Sequence, residues 1–98
     1  MTLSKAQMIE IVTARAKGRI RGNVRLDMPD LCVLYVDETG AVESDKAADL
    51  TLSAKAEVFR AIAHGELNPA TAFMMRKLKV EGSPMRALKV GEILSTEA

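Results

Sequence analysis

The amino-acid sequence predicts an α+β fold. It reads as a five-stranded mixed sheet with helices covering one face, in the order helix, three-strand meander, crossover, strand, helices, strand, helix. Three observations carry this. Met8, Ile9, Val12 and Ala16 recur at helical spacing near the N-terminus. Residues 20–28, 31–36 and 41–43 then make three strand-like segments parted by turn residues. Two later strand-like segments, 48–53 and 78–81, are separated by two helical patterns, which allows those strands to pair in parallel.

Each element has a local cause. Ser4 followed by Gln7 has the form of a capping box, and the first helix is expected to run from there to Gly18. From Ile20 the period changes to two, with Ile20, Gly22, Val24, Leu26 and Met28 alternating against Arg21, Asn23, Arg25 and Asp27. Pro29-Asp30 turns the chain into the apolar run 31–36, and residues 37–40 turn it again into the short strand 41–43.

Ala48, Leu50 and Leu52 alternate against Asp49, Thr51 and Ser53 as a fourth strand. Ser53 is placed to cap a helix with Val58, Phe59 and Ile62 inward, stopping at Gly65. Asn68-Pro69 opens a short helix with Ala72, Phe73 and either Met74 or Met75 expected on its inner side. Residues 78–81 alternate as a fifth strand, Gly82 breaks it, and Ser83-Pro84 starts a last helix carrying Met85, Leu88, Ile93 and Leu94.

Composition bounds the function. A chain of 98 residues, 48% hydrophobic and 28% charged, has the balance of one globular domain, spanning residues 1–98. A net charge of +1 supplies no field that would gather nucleic acid, so no nucleic-acid partner is expected. Cys32, the only cysteine, lies in the apolar run and reads as a buried, reduced thiol, which suits a reducing compartment. Neither residues 1–5 nor residues 95–98 carry an export or peroxisomal address, so the cytoplasm is expected.

The inventory of chemical groups is thin. His64, the only histidine, sits at a helix end where an imidazole complements the dipole, and no second His or Cys stands at metal-ligand spacing. No metal, cofactor or catalytic group is expected. Gly18 and Gly22 do not make a phosphate loop, because strand-like sequence follows and the Gly-Lys-Ser/Thr element is missing. Lys5, Arg15, Lys17 and Arg19 stand opposite Met8, Ile9 and Val12, a pattern shared by membrane-surface helices and by core-packing ones. Glu10 interrupts the basic side, so core packing is the expectation.

The stretch 44–94 resembles the sterol carrier protein family, the non-specific lipid-transfer proteins. Ser44-Asp45-Lys46-Ala47-Ala48-Asp49-Leu50-Thr51-Leu52 is similar to that family's acidic, alternating fourth strand. Gly65-Glu66-Leu67-Asn68-Pro69 is similar to its Gly-x-Leu/Met-x-Pro connection. Ala72-Phe73-Met74-Met75-Arg76-Lys77-Leu78-Lys79-Val80-Glu81-Gly82-Ser83 matches its Ala-Phe-x-x-Gly-Lys-Leu-Lys-Ile-x-Gly-Asn/Asp signature in order and spacing. Two departures stand out: Arg76 occupies the place of the glycine before Lys-Leu-Lys, and Ser83-Pro84 replaces the polar-apolar pair that opens the last helix.

The resemblance implies a hydrophobic tunnel between sheet and helices, lined by motif position by Phe73, Met74, Met75 and Leu88. Val12, Leu26, Val33, Tyr35, Phe59, Ile62, Met85 and Leu94 complete the expected ligand contacts. The function implied is a non-catalytic intracellular carrier of an apolar molecule: a fatty acid, acyl-CoA, sterol or similar lipid. The alternative is an accessory or dimerisation module of a lipid or quinone biosynthetic pathway with a packed interior. Transient membrane contact, a partner enzyme and a homodimer are the macromolecular partners these readings admit. An empty pocket of about 300 Å³ would cost roughly 7 kcal/mol at about 24 cal/mol per Å³, so such a space must be filled by ligand or closed by flexible side chains.

Overall fold

The computed structural model describes residues 4–95. The readings made on residues 1–3 and 96–98 lie outside the described residues. Four helices and five strands follow in order: α1 (Lys5–Ala16), β1 (Val24–Met28), β2 (Cys32–Asp37), β3 (Gly40–Glu43), β4 (Thr51–Ser53), α2 (Ala56–Ala63), α3 (Pro69–Met74), β5 (Lys79–Glu81) and α4 (Pro84–Ser95).

The strands form one mixed sheet in the order β3-β2-β1-β4-β5. The meander expected from the turn residues is present, with Leu26 opposite Leu34 and Val36 opposite Ala41. The parallel pair falls elsewhere than expected. It joins β1 to β4, with Leu26 level with Leu52, whereas β4 and β5 run antiparallel with Leu52 opposite Val80. Two helices separate β4 from β5, and an out-and-back helix pair returns the chain to the end of the sheet where β4 left it.

One face of the sheet is the floor of the core. Val24, Leu26, Met28, Leu34, Val36 and Leu52 are buried on it, and Met8, Val12, Ala16, Phe59, Ile62 and Leu94 cover it from the helices. Helix α1 packs on the core through Met8, Val12 and Ala16, as expected, but its basic side is only partly solvated: Lys5 pairs with Glu43 at 3.1 Å, and the half-buried Arg15 donates through Nε to Ala63 O at 3.1 Å. The capping box also forms: Gln7 N–H donates to Ser4 Oγ at 3.1 Å and Ser4 N–H to Gln7 Oε1 at 2.9 Å.

Several boundaries differ from the sequence reading; β4, for one, is confined to Thr51–Ser53, so residues 48–50 are not strand. Residues 20–23 are not strand, and β1 begins only at Val24, although Ile20 is buried at 3% exposure. The alternation there comes from a loop that dips one apolar side chain into the core. Ser53 does not cap α2. Lys55 occupies the cap position without a side-chain bond, and Ala56 N–H instead donates to Asp30 Oδ1 at 3.0 Å, so the cap comes from the β1–β2 turn. The cap expected at Asn68 is made, with Ala70 N–H donating to its Oδ1 at 2.8 Å and Pro69 in the first turn.

Candidate functional site

Five of the expected contact residues converge inside the molecule. Val12, Leu26, Phe59, Ile62 and Leu94 are between 1% and 4% exposed and share one core cluster. Exposures this low leave no water-sized gap beside them, so no open channel passes these side chains in this state. Leu88 is half-buried and joins neither this cluster nor the side chains packed against it.

Six others are placed differently, and each is a correction. Cys32, Leu34 and Val36 take the core face of β2, so Val33 and Tyr35 point out through the opposite face. Every position of 31–36 is apolar, and periodicity had no means of choosing the side. Tyr35 instead lies beneath Lys46, whose Nζ stands 5.0 Å from the ring centroid. Met74, Met75 and Met85 are 81%, 57% and 82% exposed, and Phe73 is 39% exposed. Helix α3 has six residues and buries Pro69 and Ala72, which leaves residues 73–75 on the outside.

A groove the sequence reading missed opens where α4 meets the connection between α1 and β1. It measures about 360 Å³ and is lined by Ile20, Val90 and Ile93 below and by Arg19, Arg21, Arg86 and Lys89 around them. The connection is held in place by Gly18 N–H donating to Glu38 O at 2.8 Å. Arg86 is fixed across the groove, its Nη2 donating to Arg21 O at 2.8 Å and Asn23 O at 3.3 Å. Gly22 makes that reach possible. It has φ 75°, and a Cβ there would stand 2.9 Å from the Arg86 nitrogen.

The chemistry of this groove follows from its lining. Its floor is aliphatic, its rim carries four cations, and among the described residues no carboxylate lines it. Such a surface favours a molecule with an apolar body and an anionic end. Part of the signal was legible, because Arg86, Lys89, Val90 and Ile93 recur at helical spacing on one face of α4. The other part was hidden by reading residues 20–23 as strand. A second, wider groove of about 640 Å³ lies along β5 and the end of α3, lined by Phe73, Met74, Leu78, Val80, Arg76, Lys79 and Glu81.

The remaining reactive groups stand apart from these grooves. Cys32 is buried, and burial, with a smaller push from Glu43, raises its thiol pKa above the usual cysteine value. His64 forms the end of α2, 42% exposed, with Nδ1 3.2 Å from Arg60 Nη1 and 3.8 Å from Glu66 Oε2. Among the described residues no three His, Cys, Asp or Glu side chains gather as a metal site. No helix among them is long and apolar enough to cross a membrane.

A mixed sheet roofed on one face by helices, with a cation-rimmed apolar groove at the edge of the roof, defines a helix-covered α+β domain of the small binding-protein class. Residues 11–95 match the SCP-2 sterol transfer family, and the chain belongs to that family. Sterol carrier protein 2 of Gallus gallus is 42% identical over 50 residues, which is 51% of this chain and 9% of that protein. Solved structures share the fold. Sterol carrier protein 2 from Aedes aegypti, in complex with C16 fatty acid (palmitate), superposes with a TM-score of 0.78 at 19% identity and full coverage of both chains. The apo form from Yarrowia lipolytica gives 0.63 at 22% identity, covering 89% of this chain and 73% of that one.

Proposed function

We propose that the protein is a non-catalytic carrier of an apolar molecule with an acidic head, of the fatty acid or acyl-CoA class. Membership of the SCP-2 sterol transfer family along residues 11–95 carries this reading. The cation-rimmed groove supports the acidic head: Arg19, Arg21, Arg86 and Lys89 surround the floor formed by Ile20, Val90 and Ile93. The palmitate complex of the Aedes aegypti protein shows the same fold with such a molecule.

The core side chains pack closely, and energetics explain why. Keeping about 300 Å³ empty would cost roughly 7 kcal/mol, comparable with the stability of a whole domain. The cargo chain therefore takes its space by parting α4 from Leu26, Phe59 and Ile62, which pack in one cluster. Each methylene buried returns about 0.8 kcal/mol. Leu94 is then an α4 side chain that meets the cargo chain, with Val12 in the same cluster. The reduced, buried Cys32 fits a carrier working in the reducing cytoplasm.

Native mass spectrometry of the protein as purified, with solvent extraction of the same sample, tests the reading. An acyl lipid near one per chain is expected. Protein that emerges empty and fails to take up added fatty acid would overturn it.

A further inference from the structure

The described surface shows five large exposed hydrophobic residues, and Phe73, Met74 and Met75 stand consecutively at the end of α3, with Met85 at the start of the next helix. Consecutive exposure of this kind marks a contact surface rather than scattered solvent-facing side chains. Its charge setting selects the partner. Residues 67–91 hold five of the chain's 14 cations (Arg76, Lys77, Lys79, Arg86 and Lys89) and one of its 13 acids, Glu81. The segment is thus strongly basic while the rest of the chain is acidic. Arg76, Lys77 and Lys79 are all exposed, beside the methionines.

We propose that the end of α3 and strand β5 dock on an anionic lipid bilayer, with Phe73, Met74 and Met75 entering the headgroup layer and Arg76, Lys77 and Lys79 against its phosphates and carboxylates. Unbranched thioether side chains suit a surface of changing shape, because they repack at little cost. Cations flanking an apolar insertion add attraction to anionic lipid, about fivefold in binding for each one brought to the surface. The carrier reading supplies the use of this surface, pickup and delivery of cargo, while the docking stands on the exposed residues and their charge.

Co-sedimentation with vesicles of phosphatidylcholine alone, and of phosphatidylcholine with phosphatidylserine, tests the proposal on the whole chain. Binding is expected to be stronger to the serine-lipid vesicles and to fall as salt rises. The Lys77→Gln/Lys79→Gln variant should lose about 25-fold on the anionic vesicles and little on the neutral ones. Met74→Ser/Met75→Ser, at exposed positions that leave the core intact, should lose binding to both. A wild type that ignores vesicles, or variants that bind like it, would overturn the docking surface. So would a dimer broken by Met74→Ser/Met75→Ser without vesicle binding, since the patch would then belong to a second copy. Fatty-acid titration without vesicles separates the two readings: Met74→Ser/Met75→Ser should bind fatty acid as the wild type does. If no form binds fatty acid while the vesicle pattern holds, the carrier reading falls and the docking surface stands.

Discussion

Gly91 of α4 packs directly on Pro69 of α3: a Cβ on Gly91 would sit 2.5 Å from Pro69 Cβ and 2.9 Å from its Cγ. Both residues are buried, and the contact is where the last helix is seated on the short one. In an exposed helix, Gly→Ala gains about 0.5 to 1 kcal/mol. Overpacking a tight contact costs about 1 to 3 kcal/mol, so the clash wins. Gly91→Ala is expected to lower stability in urea unfolding by about 1 to 2 kcal/mol. Equal or higher stability would mean that α4 shifts freely on α3.

Arg76 has φ 61°, and it is the one non-glycine residue in the left-handed region among the described residues. It stands at the place where the family signature has glycine. A side chain there costs about 1 to 2 kcal/mol, and glycine's extra freedom in the unfolded chain gives back part of that. Arg76→Gly should raise stability by up to about 1 kcal/mol, read from the thermal midpoint. The same variant removes one docking cation, so weaker binding to anionic vesicles should accompany the gain.

Thr13 ties α1 to the far edge of the sheet. Its Oγ1 accepts the Ala41 N–H at 3.0 Å, and its methyl would touch a Cβ on Gly40 at 2.8 Å. Thr13→Val keeps the shape and removes the acceptor, which leaves the Ala41 N–H without its partner. Loss of about 1 to 3 kcal/mol is expected. Amide exchange of Ala41 is the local check, and unchanged protection would show that another acceptor takes over.

Arg60 binds Glu57 and Glu66 on the exposed side of α2, and its guanidinium holds the Glu57 carboxyl below the ordinary glutamate value of 4.5. A depressed carboxylate stabilises the fold above its unfolded pKa and loses that contribution as pH falls through its folded one. The stability gap between wild type and Glu57→Gln should therefore be widest near neutral pH and close in acid, below 4.5. High salt should shrink it as well, since the pair is exposed.

How much of this was legible in the sequence varied with the physics. The meander, the capping box and the Asn68 cap were readable because each is decided by residues a few positions apart. The parallel partner of β4, the Asp30 cap on Ala56 and the reach of Arg86 to Arg21 were not, since each joins segments distant in sequence. Two placements were hidden from the sequence. Residues 31–36 are apolar throughout, so Val33 and Tyr35 could not be assigned a face. The methionines at 74 and 75 read as interior by hydrophobicity, but a six-residue helix has room for only one buried stripe, and Pro69 and Ala72 take it.

Equilibrium titration of the delipidated protein with a fluorescent fatty acid, repeated with its neutral methyl ester, tests the central claim most directly. The account predicts saturable binding of one acid per chain, tighter than the ester by about tenfold or more, because hydrogen bonds to a charged head are worth about 1.5 to 3 kcal/mol. Failure to bind either molecule would contradict the carrier reading, and equal affinity for both would contradict the role of the cationic groove.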